Sequence, residues 1–451
     1  MKSRTWHFAA IALITLLVIP ISLAAQDNPT TPPHYLLKGL GTLGGPYSWL
    51  FTGPPSFHVL NSLGMVAYAA DLNVGDPYVP CFIDCSVAHA VRWQNGVLTD
   101  LGTLRASNPS SAPLSISDNG TFIVGVSENG SVDPLTNFPE YDAVVWQRGH
   151  KIRNLKTFGG AFSTAVSVNN LGQVVGGATN NITDQYAGGL GPCWSVNCWP
   201  AATQWRAFLW QNGVMKDLGT LGTGKDAVAG LVNAHGQVAG VSYTNTRANH
   251  TTGVPTQDPF FWEQGKAMVD AGTLGGTVGF PNWLNNKGQM VGQSNLAGDN
   301  AYHPFLWQKG KKMKDLGTLG GDSGTAMWIN EAGEIVGGAW KRGNQVFHAV
   351  LWKNGRPRDL GVLGQYKHSL AYSINSKGQI VGCLTNNFNN GCAQGFLWEN
   401  GTMYNLNKLV PPGSKVLSMP LNINDRGEIA TWEVDDVYNA RAVLLIPRTK
   451  Q

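Results

Sequence analysis

The stretch "HPFLWQKGKKMKDLGTLGG", residues 303–321, decides the fold. It holds an apolar run suited to a strand, a glycine turn, a second short run and a Gly-Gly. Nearly the same string returns as "RAFLWQNGVMKDLGTLG" from 206 and "HAVLWKNGRPRDLGVLG" from 348. A chain that repeats one hairpin-sized phrase is building an array of like modules.

Around this stretch each repeat has four pieces. The first ends in Asn, as in "YSIN" at 372–375, "MWIN" at 327–330 and "NWLN" at 282–285. The second follows a glycine, as in "GQIVG" at 378–382 and "GQVVG" at 172–176. The third is an apolar run ending in Trp93, Trp146, Trp210, Trp262, Trp307, Trp352 or Trp398. The fourth is "MKDLGTLG" and its variants. Asn-x-x-Gly, as in Asn375/Gly378, joins the first piece to the second. Asn-Gly, as in Asn354-Gly355, joins the third to the fourth. Both are hairpin signatures, because Asn opens the turn and Gly tolerates positive φ. Each repeat therefore reads as a four-stranded antiparallel meander, with strands a, b, c and d.

A four-stranded meander every 40–50 residues or so predicts an all-β fold, a β-propeller. Strand c is apolar on successive residues, as expected where both sheet faces are covered. The ends predict closure. "YLLKGLGTLGG" at 35–45 is a strand d with nothing before it. "LNIN", "GEIAT" and "ARAVLLI" within 421–446 are a, b and c with nothing after them, and Leu445 stands where Trp belongs. An N-terminal strand that joins the C-terminal blade would remove two open sheet edges. Seven complete units and this composite predict eight blades; seven, with one unit distorted, is the alternative.

The phrase carried by His348-Ala349-Val350-Leu351-Trp352 and Arg206-Ala207-Phe208-Leu209-Trp210, continued by Asp-Leu-Gly-Thr-Leu-Gly-Gly, resembles the bacterial "probable extracellular repeat, HAF family". The resemblance covers nearly all of the chain after residue 25. It implies export and a repeat β fold, and it brings no catalytic residues.

Export is also predicted from the N-terminus. Lys2 and Arg4 precede an apolar run from Phe8 to Ile19, then Pro20 and the small residues Ser22 to Ala25. That is the layout of a secretory signal peptide. The run is shorter than the roughly 20 residues of a membrane span. The expected organisation is residues 1–25 as signal peptide, 26–34 as a flexible mature N-terminus and 35–449 as one propeller domain. The expected place is secreted, extracellular or periplasmic, with no stable membrane insertion, and a monomer is expected. Six cysteines fit an oxidising compartment, and their spacing pairs them locally as Cys81–Cys85, Cys193–Cys198 and Cys383–Cys392. A metal reading of these pairs lacks further ligands nearby. Charged residues make up 13% of the chain and the net charge is +4, which argues against a nucleic-acid partner.

Function is expected on one rim. The b–c and d–a connections lie together, and the long insertions, roughly 70–88, 127–141, 178–205, 242–257 and 384–394, all read as b–c loops. The expected ligand is a glycan or protein on this b–c loop face. Trp194 and Trp199 in "GPCWSVNCWP", with Tyr186 nearby, are the candidate ligand-binding residues, since rigid exposed aromatic rings suit stacking. The acidic position before "LG" (Asp100, Asp217, Asp270, Asp315, Asp359, with Asn154 and Asn405) recurs in too many copies to be catalytic. So does the polar residue opening strand c (His89, Asp142, Arg206, Asp258, His303, His348, Gln394). Both are read as structural. No catalytic signature, metal site or cofactor fingerprint is present. A polysaccharide hydrolase or lyase is the enzymatic alternative, with Asp226, Asp322 and Glu140 as carboxylates near the rim. A purely structural surface protein is the third reading.

Overall fold

The Asn-x-x-Gly stretches turn the chain between strands a and b. At 375–378, Asn375 Oδ1 accepts from the backbone N–H groups of Lys377 and Gln379, both at 3.0 Å. Gly378 N–H returns to the Asn375 carbonyl at 3.2 Å, with Gly378 at φ +77°. The Asn-Gly pairs between strands c and d place both residues at positive φ, +53° and +73° at Asn354-Gly355. That is the two-residue turn whose twist suits paired strands.

A computed structural model of the protein describes residues 34–448 apart from 52–56, 79–80, 82–83, 106–108, 150, 191–200 and 436–438. These residues belong to one compact unit, Pro33–Gln451. Among them, the strands run as successive four-stranded a–b–c–d meanders, the last completed by the first strand of the chain. One is Gly320–Ile329, Ile335–Lys341, Phe347–Lys353 and Arg356–Gly361, in register through Ile329↔Ile335, Ile335↔Trp352 and Trp352↔Pro357. Two pairs of adjacent meanders touch through single parallel bridges, Phe162↔Tyr141 and Gln257↔Val278. The described helices are short 3₁₀ turns only, Ala187–Gly189, Phe388–Asn390 and Leu406–Lys408. Among the described residues, no helix is long and apolar enough to cross a membrane.

The two chain ends share one sheet. Strand Tyr35–Gly39 pairs antiparallel with Ala440–Pro447, from Tyr35↔Pro447 to Gly39↔Val443. It is strand d of the unit whose a, b and c are Val416–Ile423, Ile429–Val434 and Ala440–Pro447. The fold is a β-propeller of four-stranded antiparallel blades closed by this strand.

Hydrophobic clusters lie between neighbouring blades. Val291, Ala326, Ile335, Val350 and Trp352 form one of them. The Trp ending each strand c is buried, between 1% and 8% exposed, and Leu445 fills that place at 0%. Strand b carries Val-Gly near its start for a steric reason. At Gly382 a Cβ would overlap the Leu370 carbonyl oxygen of strand a and the ring of Phe396.

The map of the insertions needs correction. Much of the expected b–c loop length is strand: Val66–Gly75 pairs with Ser86–Gln94, and Phe122–Val132 with Pro139–Gln147. One excursion lies outside the b–c loops altogether. Strand a of the first blade runs Gly44–Trp49, and pairing resumes only at the bridge Leu60↔Val66. Extending a hairpin satisfies the backbone groups that an irregular loop would leave to water.

Candidate ligand-binding site

The insertions of the third and fourth blades meet on the b–c side around a cavity of about 290 Å³. Asp184, Tyr186, Lys225, Asp226, Tyr243 and Pro255 line it. Asp184 follows strand Val174–Thr183, and its Oδ1 accepts from the Tyr186 N–H at 2.8 Å. This short turn presents Tyr186 at the start of the 3₁₀ turn. Tyr243 donates its hydroxyl to the Tyr186 carbonyl oxygen at 3.3 Å, which ties the two loops together.

Asp226 is the unusual group. It is 1% exposed, and its Oδ1 accepts from the Trp205 N–H at 2.8 Å. Its Oδ2 has no hydrogen-bond partner among the described residues. Burial pushes its pKa up to about 7, the Trp205 N–H opposes this, and the charge of Asp184 adds to the rise. Lys225 Nζ stands 3.9 Å from Asp184 Oδ2, at the range limit of an ion pair. The cavity thus holds a carboxyl that keeps its proton near neutral pH, an acidic neighbour, a lysine and two phenols. Such a set donates to and accepts from a ligand rich in hydroxyls or amides.

Of the residues singled out from sequence, Tyr186 lies in this cavity. Trp194, Trp199, Cys193 and Cys198 lie outside the described residues. Cys81–Cys85 and Cys383–Cys392 are joined as disulfides. The three carboxylates proposed for a hydrolase are not brought together. Asp226 lines the cavity, Glu140 accepts from Asn129 Nδ2 at 3.0 Å in the second blade, and Asp322 N–H donates to Asn344 Oδ1 at 2.9 Å in the sixth. Sequence reading missed Asp184, Lys225 and Tyr243, which come from three separate loops or strands; only Asp184 carries a local signal, at the end of a long strand b.

The two recurring polar positions prove to be partners. His89 faces Asp100 at 3.0 Å, His303 faces Asp315 at 2.7 Å and His348 faces Asp359 at 2.8 Å. Arg206 meets Asp217 at 2.9 Å, and Asn154 Nδ2 donates to Asp142 at 2.6 Å. The strand d acid also accepts from the glycine N–H two residues on, as Asp315 does from Gly317 at 2.7 Å. The pair staples strands c and d and ends strand d in a side-chain turn. Other blades depart from this: Gln394 Nε2 donates to Asn407 Oδ1 at 3.0 Å and not to Asn405, and Asp258 stands against Asp270, where burial and that neighbour push Asp258 up to about 7.

No protein-family model matches the chain, and no curated protein does. Among solved structures it is similar to the β-propeller domain of the Trilobed protease from Pyrococcus furiosus, at 10% identity and TM-score 0.44, over 80% of this chain and 98% of that one. It is similar to the oligogalacturonate lyase from Vibrio parahaemolyticus, at 9% identity and TM-score 0.46, over 81% and 95%. A third is the Trypanosoma rangeli sialidase, at 12% identity and TM-score 0.39, over 92% and 60%.

Proposed function

We propose that this chain is an exported HAF-type repeat propeller that works as a binding scaffold and holds a glycan of the cell envelope or surroundings on its b–c loop face. The observation that carries the reading is Asp226. A buried carboxyl with an unsatisfied oxygen costs stability, and here it lines a cavity built by two insertion loops. A site that keeps such a cost is a site with a ligand to complete it. Two local disulfides fit a life outside the reducing cytosol. The test is a glycan array and a protein pull-down with the wild type, Tyr186→Ala and Asp226→Asn. Glycan binding lost in both variants supports the reading. Capture of a protein alone would move the ligand to that class, and silence in both assays would leave a structural surface protein.

A hydrolase or lyase is the second reading, and the same residue favours it. A carboxyl holding its proton to about pH 7 is suited to general acid catalysis, with Asp184 as the neighbouring acid in the cavity. Product release from a bound glycan by the wild type, abolished in Asp226→Asn while binding persists, would select this reading over the scaffold.

A further inference from the structure

The opposite mouth of the propeller, formed by the a–b turns, holds a second cavity of about 330 Å³ on the central axis. Its polar wall follows from the repeat. Two residues before the Asn of the a–b turn, strand a of three blades carries a side chain that accepts a hydrogen bond from the next blade, namely Ser167, Ser373 and Asn422. Ser167 Oγ accepts from the Val232 N–H at 3.4 Å, and Asn422 Oδ1 from the Val59 N–H at 2.9 Å. In the fifth and sixth blades the position holds Trp283 and Trp328, which supply no such acceptor. Their indoles stack on one another, 3.4 Å between centroids and 18° between planes. Trp328 is 8% exposed and backs Trp283, which stays half-buried in the cavity lining. The His58 ring stands 6.1 Å from Trp283, edge to face. Two adjacent blades thus give the channel an aromatic wall.

The rest of the mouth mixes apolar side chains such as Leu60, Ile329 and Ile423 with polar ones. Asp118, Glu331 and Asp425 line it, and among the described residues no Lys or Arg does. Glu331 Oε1 accepts from the Asn286 N–H at 2.9 Å and Asp425 Oδ1 from the Ser376 N–H at 2.8 Å, so each carboxylate keeps a second oxygen for a ligand hydroxyl. A flat indole facing hydroxyl acceptors suits a sugar ring, whose C–H face is apolar and whose edge is hydroxylated. Three carboxylates without a lysine or arginine repel an anionic sugar. The volume lies in the range of small-ligand sites. From this geometry we infer that the axial cavity is a carbohydrate site distinct from the loop-face cavity, taking one neutral hexopyranose ring of an oligosaccharide against Trp283.

The experiment is calorimetric titration of the whole protein with cellotetraose, mannotetraose, maltotetraose and tetragalacturonate. It is done in a Tyr186→Ala, Asp226→Asn background, so that the loop-face cavity is disabled and failure of either site is read separately. At least one neutral tetrasaccharide should bind, with the anionic one weaker by roughly tenfold or more. Adding Trp283→Ala should raise Kd by roughly tenfold, and Trp283→Phe by clearly less, since it keeps an aromatic face. Ser167→Trp, which fills the cavity from the third blade, should abolish binding while circular dichroism and melting report a folded chain. No binding of any neutral sugar overturns the inference. So does tighter binding of the anion, or an unchanged Kd in a folded Trp283→Ala variant.

Discussion

The side-chain amide of Asn424 donates to the main-chain oxygen of Asn61 at 3.0 Å, across 363 positions of sequence. The same bond repeats around the axis, from Asn233 to Asn285, Asn285 to Asn330, Asn330 to Asn375 and Asn375 to Asn424, at 3.0 to 3.2 Å. Asn61 passes it to Ser117 at 3.2 Å, and Asn119 N–H meets Asn170 Oδ1 at 2.9 Å where the next blade follows. One asparagine thus closes its own turn with Oδ1 and grips the next blade with Nδ2. Replacing Asn424 by Ala removes both roles at a site 8% exposed. The expected loss is about 2–3 kcal/mol in urea unfolding; Asn424→Asp, which sets a carboxylate against the Asn61 carbonyl and Glu428 Oε2, should cost at least as much. Equal stability of all three proteins would show that the ring contributes nothing.

Strand Tyr35–Gly39 supplies the last ladder of the ring, with Leu37 opposite Leu445. Deleting residues 26–43 exposes the edge of Ala440–Pro447 and uncovers Leu445, which is 0% exposed in the intact chain. The melting temperature should drop sharply and aggregation should rise. An unchanged melting curve would mean that the ends do not close the fold.

Two glycines four residues apart test different physics. Gly378 has φ +77° and only Glu334 Oε2, at an unstrained 3.8 Å, near where a Cβ would go, so Gly378→Ala should cost about 1 kcal/mol from backbone strain alone. Gly382 has no positive φ, yet its Cβ would overlap the Leu370 carbonyl oxygen. Gly382→Ala should cost clearly more, about 2–3 kcal/mol, because strands a and b must separate. Thermal unfolding of both variants ranks them; the reverse order would undo the assignment of bulge and turn.

Buried acids set the pH dependence. Asp71, Asp226 and Asp258 are pushed up to about 7 and Glu128 to about 8, burial being the main cause in each. The folded chain therefore holds protons that the unfolded chain has released between roughly pH 4 and 8, and stability falls as pH rises through that window. Glu263, held down to about 2, and Asp359, also held low, matter only in stronger acid. His368, lowered by burial, works in the opposite sense below the ordinary histidine value. Urea unfolding at pH 5 and pH 8 should show a loss at the higher pH above about 1.4 kcal/mol, the worth of one pKa unit. Asp258→His, which restores the His–Asp pair of three other blades, should reduce this slope and add about 1 kcal/mol at pH 8. Stability that is flat or rises with pH would refute the protonation of these acids.

The repeat was legible because strand, turn and tryptophan positions recur together, as at Trp352, Asn354-Gly355 and Asp359. Reading the Asp359 and His348 positions as structural was possible for the same reason: catalysis has no use for a residue in every blade. That each is the other's partner was not legible, since an 11-residue separation shows no contact until strands c and d pair in register. Trp283 and Trp328 were visible in "NWLN" and "MWIN" but read as ordinary strand residues. Their departure from Ser167 and Asn422 at the same position is the signal that was available.

Local chemistry, written in every copy of the repeat, determined by itself that this chain folds as four-stranded meanders and that its two ends belong to one blade. Turn preference and alternation act over a few residues, so they can be read from a line of letters. Only the tertiary structure decided that Asp184, Tyr186 and Asp226 share a cavity, and that two indoles from adjacent blades stack in the axial cavity. Those neighbours are set by the rotation from one blade to the next, which no short-range preference encodes.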